Sequence, residues 1–256
     1  MELTDTQFET ISSYLPIKRG NVKLSDHEVL NAILYVAEQG CKWRALPKRF
    51  GNWHTVYTRM NRWSKNGTLD KVFEALQKNG IIRVKVEAMG LDSTSVKVHP
   101  DGTGAFKKNG CQSIGRSRGG WTTKIHMVAA DARTALTFSL SPGSAPDAPQ
   151  GRALMGKIPA ECKGAYLIMD KAYEGDETRQ LALDLGFEPV VPPKGNRLEP
   201  WEYNKEMYKK RNEVERLFRR LKGFRRIFSR FDKLDVMFTA FIYIALIFDA
   251  ISVNTT

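Results

Sequence analysis

Near Val84 the spacing of apolar residues changes from a helical repeat to an extended one, and no other feature restricts the fold of this chain as strongly. Before that point Phe8, Ile11 and Leu15 recur at helical spacing up to Pro16. Ser25 and Glu28 then form a capping box ahead of Leu30, Ile33, Leu34 and Ala37, with Gly40 as the stop. A third helix sets Trp53, Val56, Tyr57, Met60 and Trp63 on one side and Thr55, Thr58, Arg59 and Arg62 on the other, the sequence form of a helix-turn-helix reading helix. An ordinary helical bundle with a cationic face would share this pattern. Leu69, Val72, Phe73 and Leu76 mark a fourth helix, which closes before Gly80.

Beyond Val84, EAMGLDSTSVKVHP, WTTKIHMVAADA and TALTFSLS alternate as strands, and Asp131-Ala132-Arg133 joins the last two as a hairpin. SPGSAPDAPQ is turn chemistry ending on Asp147 as a helix N-cap. The apolar run GAYLIMD reads as a buried strand that stops at Asp170. A helix from Thr178 to Leu185 and a fifth strand, FEPVV, follow. The expected organisation is a small all-α domain over residues 1–80 and an α/β domain over residues 84–256, built on a mixed five-stranded sheet with helices and carrying a basic loop at 106–120.

The formal net charge is +12, and it is unevenly spread: Lys205 to Lys233 holds 12 Lys or Arg against 4 Asp or Glu. Nucleic acid is the partner such a segment fits. A polybasic membrane surface fits less well, because aromatic residues interleave with the charge at helical spacing instead of forming a lipid-facing band. Three scattered cysteines, Cys41, Cys111 and Cys162, argue against a disulfide framework or a zinc site. The acidic start MELTDTQFET is unlike a signal peptide, and the uncharged run Val236–Phe248 is shorter than a bilayer span, so a buried helix and a cytoplasmic protein without membrane partners are expected.

Drawn as a helix, Tyr208, Arg211, Glu215 and Lys222 fall within about 60° of one another, beside an apolar arc of Val214, Leu217, Phe218 and Leu221. Glu213 points away, among Lys209, Lys210 and Arg220. One carboxylate flanked by cations therefore borders the arc that meets the core. If the first and fourth strands are neighbours, Asp92 and Asp170 approach each other and Glu215 arrives from the helix packed across them. Three carboxylates on three elements offer hard oxygen ligands to Mg²⁺ or Mn²⁺, and two such ions can assist phosphodiester cleavage. Taken singly, Asp92 reads equally as a strand-start turn residue and Asp170 as a strand-end cap. Asp131 and Asp147 are competing acids, one in a turn and one in a cap. His27, His54, His99 and His126 show no metal-ligand spacing, and no nucleophile elbow supports a Ser-His-Asp reading.

LDSTSVKVHPDG, QSIGRSRGGWTTKIHM, MDKAY and the Tyr208, Arg211, Glu215, Lys222 spacing resemble a bacterial insertion-sequence DDE transposase of the insertion-sequence-five family. WRALPKRFGNWHTVYTRMNRW resembles that family's amino-terminal segment. The resemblance implies a ribonuclease H-like catalytic domain and a metal-binding triad of Asp92, Asp170 and Glu215 holding two Mg²⁺ or Mn²⁺ ions. It further implies auxiliary roles for Tyr208, Arg211 and Lys222, and DNA strand cleavage followed by strand transfer. The 44 residues between Asp170 and Glu215 leave no room for an inserted domain.

Double-stranded DNA, as terminal inverted repeats and as target, is the expected partner, with a homodimer or larger assembly when DNA is bound. Thr55, Thr58, Arg59 and Arg62 are the candidate base readers. Lys107, Lys108, Arg116, Arg118, Lys194, Arg219, Arg220, Arg225 and Arg226 are candidate DNA contacts, mostly to phosphate. A catalytically silent DNA-binding regulator and a nuclease without strand transfer are the alternatives.

Overall fold

A computed structural model describes residues 1–17, 22–78, 86–104 and 110–253. The longer helices, in chain order, are α1 (Asp5–Ser12), α2 (Asp26–Gln39), α3 (Trp53–Lys65), α4 (Thr68–Lys78), α5 (Asp147–Met155), α6 (Asp176–Asp184), α7 (Asn212–Gly223) and α8 (Asp235–Val253). The strands are β1 (Ala88–Val98), β2 (Gly115–Ser117), β3 (Gly120–Ala129), β4 (Ala135–Pro142), β5 (Tyr166–Met169), β6 (Glu188–Val190) and β7 (Ser229–Arg230). Two compact units result. One gathers Met1–Arg83, Val98–Gln112 and Leu221–Thr256, and the other Val84–Lys97 and Ser113–Arg220.

The first unit is mainly helical. Ser25 caps α2 by accepting from the Glu28 N–H while Glu28 reaches back to the Ser25 N–H, and Gly40 ends the helix in the left-handed region at φ 68°. Helix α8 packs on α3, α4, α2 and α1, and its Phe238, Phe241, Ile242 and Ala245 are wholly buried. Each large apolar side chain buried in this way contributes about 1.5–3 kcal/mol. The uncharged run seen in sequence is extended at both ends, because Asp235 starts the helix and Asp249 lies inside it. The resulting 19 residues include a window, Asp235–Ser252, long and apolar enough to cross a bilayer, and 56% of that window is buried within the protein.

The described residues 98–104 and 110–112 belong to this unit through local bonds: the His99 N–H donates to the Arg230 carbonyl at 2.9 Å, and the Asp235 N–H to Gln112 Oε1 at 2.7 Å. A boundary drawn from the change in hydrophobic period cannot see such returns of the chain.

The second unit is a ribonuclease H-like sheet. Strand β1 runs antiparallel to β3 and parallel to β5; β6 runs parallel to β5, while β4 and β2 pair antiparallel with β3. The expected hairpin is present as β3 and β4, with Asp131 Oδ1 accepting from the Arg133 and Thr134 N–H groups in the turn. Met89, Leu91, Leu167, Met169, Leu154 and Tyr173 form the centre of its core.

Successive strand residues face opposite sides, and each side of β1 meets a helix at close range. A Cβ on Gly90 would lie 3.2 Å from Val214 Cγ1 of α7, and a Cβ on Gly151 of α5 would lie 3.2 Å from Leu91 Cδ2. Glycine at these two points lets helix and sheet approach.

Two local expectations change. Asp147 is the first residue of α5 and Pro146 is its cap, without a side-chain bond, so the Asp147 carboxylate is available for other partners. The stretch Tyr208–Lys222 is not one helix: a turn at Lys205–Tyr208, capped by Asn204, passes through a 3-10 turn at Lys209–Arg211 into α7.

Candidate active site

The parallel register of β1 and β5 pairs Leu91 with Met169. The next residues along these adjacent strands are Asp92 and Asp170, so the two acids stand side by side at the carboxy end of β5. Each carboxylate accepts from the following backbone N–H, Asp92 Oδ1 from Ser93 at 2.7 Å and Asp170 Oδ1 from Lys171 at 2.6 Å. Asp170 thus also caps the turn Lys171–Tyr173.

Glu215 comes from α7 on the Gly90 and Asp92 side of the sheet. Its Oε1 lies 2.8 Å from Arg211 Nη2, and Arg211 Nη1 lies 3.9 Å from Asp92 Oδ2. Burial raises the Asp92 carboxyl to about 6; the Ser93 N–H opposes that rise, Asp170 adds to it, and the smaller effects of Arg211 and Glu215 oppose each other. Tyr208 is half-buried at the same place, its phenol pushed up by burial and by Asp170 and Asp92, so it is a neutral hydrogen-bonding group. Of the six residues named from sequence for the reacting centre, Asp92 and Asp170 are thus neighbours across the strands, Arg211 lies between Asp92 and Glu215, and Tyr208 is close to both aspartates. Lys222 falls in the first unit, where burial lowers the pKa of its ammonium group.

Three carboxylates supply the oxygen donors that a hard divalent cation needs. The elevated Asp92 is what crowded, buried acids show when little positive charge balances them. In their present rotamers, however, no three His, Cys, Asp or Glu side chains among the described residues form a ready-made metal cage. Glu215 is turned toward Arg211. The donor chemistry, three carboxylates and no softer ligand, fits a divalent ion.

Glu213 departs from the expected solvated position. Its Oε2 accepts from the Ala132 N–H at 3.1 Å and its Oε1 from Arg216 Nη1 at 2.6 Å, so it ties α7 to the β3–β4 turn. The side chains missed in sequence lie on the opposite face of β1. Ser93 Oγ and Lys124 Nζ each lie 3.0 Å from Asp147 Oδ1, and the wholly buried Tyr173 reaches the same region. Lys124, His126 and Tyr173 sit inside WTTKIHM and MDKAY, the motif segments themselves. What sequence could not give was the meeting of those segments with Asp147.

The candidate DNA contacts divide. Thr55, Thr58 and Arg62 are exposed on α3, as are Arg116 and Arg118 at the β2–β3 hairpin, Arg219 and Arg220 on α7, and Arg225. Arg59 is not outward-facing: its Nη1 donates to the Leu24 carbonyl at 2.9 Å and to Asp26 at 3.0 Å. Arg226 is 5% exposed, 3.6 Å from Asp232 and bonded to the Cys41 carbonyl, so it serves the interior of the first unit. Lys194 is exposed and pairs with Glu174 at 3.3 Å. Lys107 and Lys108 lie outside the described residues.

Two family models match the chain: one described as "Putative transposase of IS4/5 family" over residues 3–73, and one described as "Transposase DDE domain" over residues 88–248. The chain is 33% identical over 112 residues to "Uncharacterized protein y4sN" of Sinorhizobium fredii, a match covering 42% of this chain and 86% of the relative. It is 30% identical over 126 residues to "Putative transposase for insertion sequence element IS6501" of Brucella ovis, covering 48% of this chain and 94% of the relative. Among solved structures, a piggyBac transposase synaptic complex with hairpin DNA aligns with a TM-score of 0.55 at 9% identity, over 97% of this chain and 71% of that one, a likeness of fold alone.

Proposed function

The chain belongs to the transposase DDE domain family, and from that premise we propose that it cuts DNA at the terminal inverted repeats of an insertion sequence and joins the freed 3′ ends to target DNA. The observation that carries the reading is the Leu91–Met169 register, which sets Asp92 beside Asp170 under the α7 face that presents Glu215. Asp92, Asp170 and Glu215 would hold Mg²⁺ or Mn²⁺, which when bound supply activation of a water or hydroxyl nucleophile and stabilisation of the leaving oxygen.

The remaining work falls to groups of the chain. Ser93 and Lys171 N–H groups fix the orientation of the two aspartates. Arg211 pairs with Glu215 and stands 3.9 Å from Asp92, and Tyr208 offers a neutral hydroxyl to a phosphate oxygen. Thr55, Thr58 and Arg62 on α3 read base edges, whereas Arg116, Arg118, Lys194, Arg219, Arg220 and Arg225 meet phosphate. Pairing of two DNA ends requires at least a dimer in the active complex.

The test uses the purified protein, Mg²⁺, a supercoiled plasmid bearing its gene with the native flanking DNA, and a second target plasmid. Nicks at the gene's flanks together with joined products support the proposal. Nicks without joining reduce the protein to a nuclease, and binding without nicks reduces it to a DNA-binding protein.

A further inference from the structure

Asp92 and Ser93 are consecutive on β1 and therefore face opposite sides of the sheet. On the Ser93 side lies a cluster of polar groups that the proposed chemistry does not use. Ser93 Oγ donates to Asp147 Oδ1 at 3.0 Å, and Lys124 Nζ donates to the same oxygen at 3.0 Å and to the Ala145 carbonyl at 2.7 Å. The Lys124 and Asp147 side chains are only 16% and 23% exposed.

His126, paired across the strands with Ser93, is wholly buried. Its Nε2 lies 2.8 Å from Ser141 Oγ, and Ser141 Oγ is also 3.3 Å from the Pro142 carbonyl. Its Nδ1, 4.0 Å from Asp147 Oδ1, completes no hydrogen bond among the described residues. Burial above all, with Lys124 and against the opposing pull of Asp147, lowers the imidazole to about 4, so His126 is neutral and leaves Asp147 to Lys124 and Ser93. The Tyr173 hydroxyl is buried beside Ser93 and completes no hydrogen bond of normal geometry among the described residues.

A buried ion pair in this position is a poor source of stability, because desolvation offsets most of its attraction. Its geometry serves a different purpose. Asp147 fixes the Ser93 side chain, and the Ser93 N–H is the donor that holds Asp92 Oδ1 at 2.7 Å. We propose that Asp147, with its charge balanced by Lys124, is a positioning residue that acts through Ser93 to hold the Asp92 carboxylate in place from the far side of the sheet.

This inference rests on the transposase reading above, and the test separates the two. Mn²⁺ binding to the purified protein is measured from the spin resonance of free Mn²⁺, and flank-specific nicking of the same plasmid is measured in parallel. Removing an outer partner of a metal-site residue costs about 10–100-fold in metal affinity or rate. Ser93→Ala and Asp147→Ala, which each remove the Ser93–Asp147 bond, should therefore weaken Mn²⁺ binding and slow nicking by roughly tenfold or more, with DNA affinity unchanged. Ser93→Thr, which retains the hydroxyl, should restore both. Should Asp147→Ala fail to fold, Ser93→Ala, which leaves the Lys124–Asp147 ion pair intact, decides alone.

If Asp92→Asn loses Mn²⁺ binding and nicking while Ser93→Ala and Asp147→Ala keep wild-type values, the cluster is only a clamp between α5 and the sheet and the inference fails. Failure of Ser93→Thr to rescue an impaired Ser93→Ala protein also overturns it. If Asp92→Asn itself binds Mn²⁺ and nicks normally, the transposase site is misassigned and both readings fall.

Discussion

Arg211 Nη2 lies 2.8 Å from Glu215 Oε1, one helical turn away, and the same guanidinium reaches to 3.9 Å from Asp92 Oδ2. An exposed pair of this spacing is worth a few tenths of a kcal/mol. Its consequence here is positional: one guanidinium stands between a carboxylate of α7 and Asp92 of the sheet, and the acids stay under-neutralised.

The first prediction follows from that imbalance. Asp92 has its carboxyl raised to about 6 from the ordinary 3.8, chiefly by burial. The folded state therefore binds this proton more tightly than the unfolded chain. The associated stability is full below about pH 4 and is lost as the pH rises through about 6, to an extent on the order of 3 kcal/mol. Asp92→Asn in the absence of divalent ions should match the wild type near pH 4 and exceed it in urea unfolding at pH 7. Equal stability curves across that window would show that Asp92 titrates normally.

A second prediction concerns Glu213, which accepts the Ala132 N–H at 3.1 Å. Glu213→Ala leaves that turn donor without its partner and should lower stability by roughly 1–2 kcal/mol, with nicking retained once the protein is folded. A loss of nicking without a loss of stability would give Glu213 a part in the chemistry.

Arg225 and Arg226 are adjacent in sequence and opposite in role. Arg226→Met strands the Asp232 carboxylate inside the first unit and should cost about 3–5 kcal/mol. Arg225→Ala should leave stability within about 0.5 kcal/mol and flatten the log K against log [salt] slope for DNA by about 0.9. Thermal unfolding and salt-dependent DNA binding check the pair, and an Arg226→Met protein as stable as the wild type would contradict the buried assignment.

Gly151 lies within α5, where Ala normally adds up to about 1 kcal/mol to helix stability. Here a Cβ would lie 2.5 Å from Tyr173 Cε1 and 3.2 Å from Leu91 Cδ2. Gly151→Ala should therefore destabilise by about 1–3 kcal/mol, the cost of overpacking. A raised melting temperature would show that the space between α5 and the sheet is looser than described.

Much of this arrangement was legible in the chain because its determinants are local. The Ser25–Glu28 box, the Gly40 stop, the alternation in β1, β3 and β4 and the Asp131 turn all act within a few residues. The stripe of Tyr208, Arg211 and Glu215 survived even though a 3-10 turn interrupts the helix, because Arg211 to Glu215 still spans one turn.

What was hidden depends on distant partners. Arg59 and Arg226 look like surface cations in sequence, yet Asp26 and Asp232 claim them. In sequence Asp147 reads as a helix cap because that local use is common for an acid after a turn, whereas its partners Lys124 and Ser93 come from two strands far away along the chain. The return of residues 98–112 and α8 to the helical unit likewise leaves no trace in hydrophobic period.

The central claim is that Asp92, Asp170 and Glu215 form the reacting centre. The most direct measurement is flank-specific nicking in Mg²⁺ by Asp92→Asn, Asp170→Asn and Glu215→Gln, beside Glu213→Gln, with DNA affinity and circular dichroism recorded for each. The three triad variants should fold and bind DNA as the wild type does and produce no nicks, while Glu213→Gln, which can still accept the Ala132 N–H, nicks at the wild-type rate. A folded Glu215→Gln protein that nicks normally, or a folded Glu213→Gln protein that does not, would contradict the account.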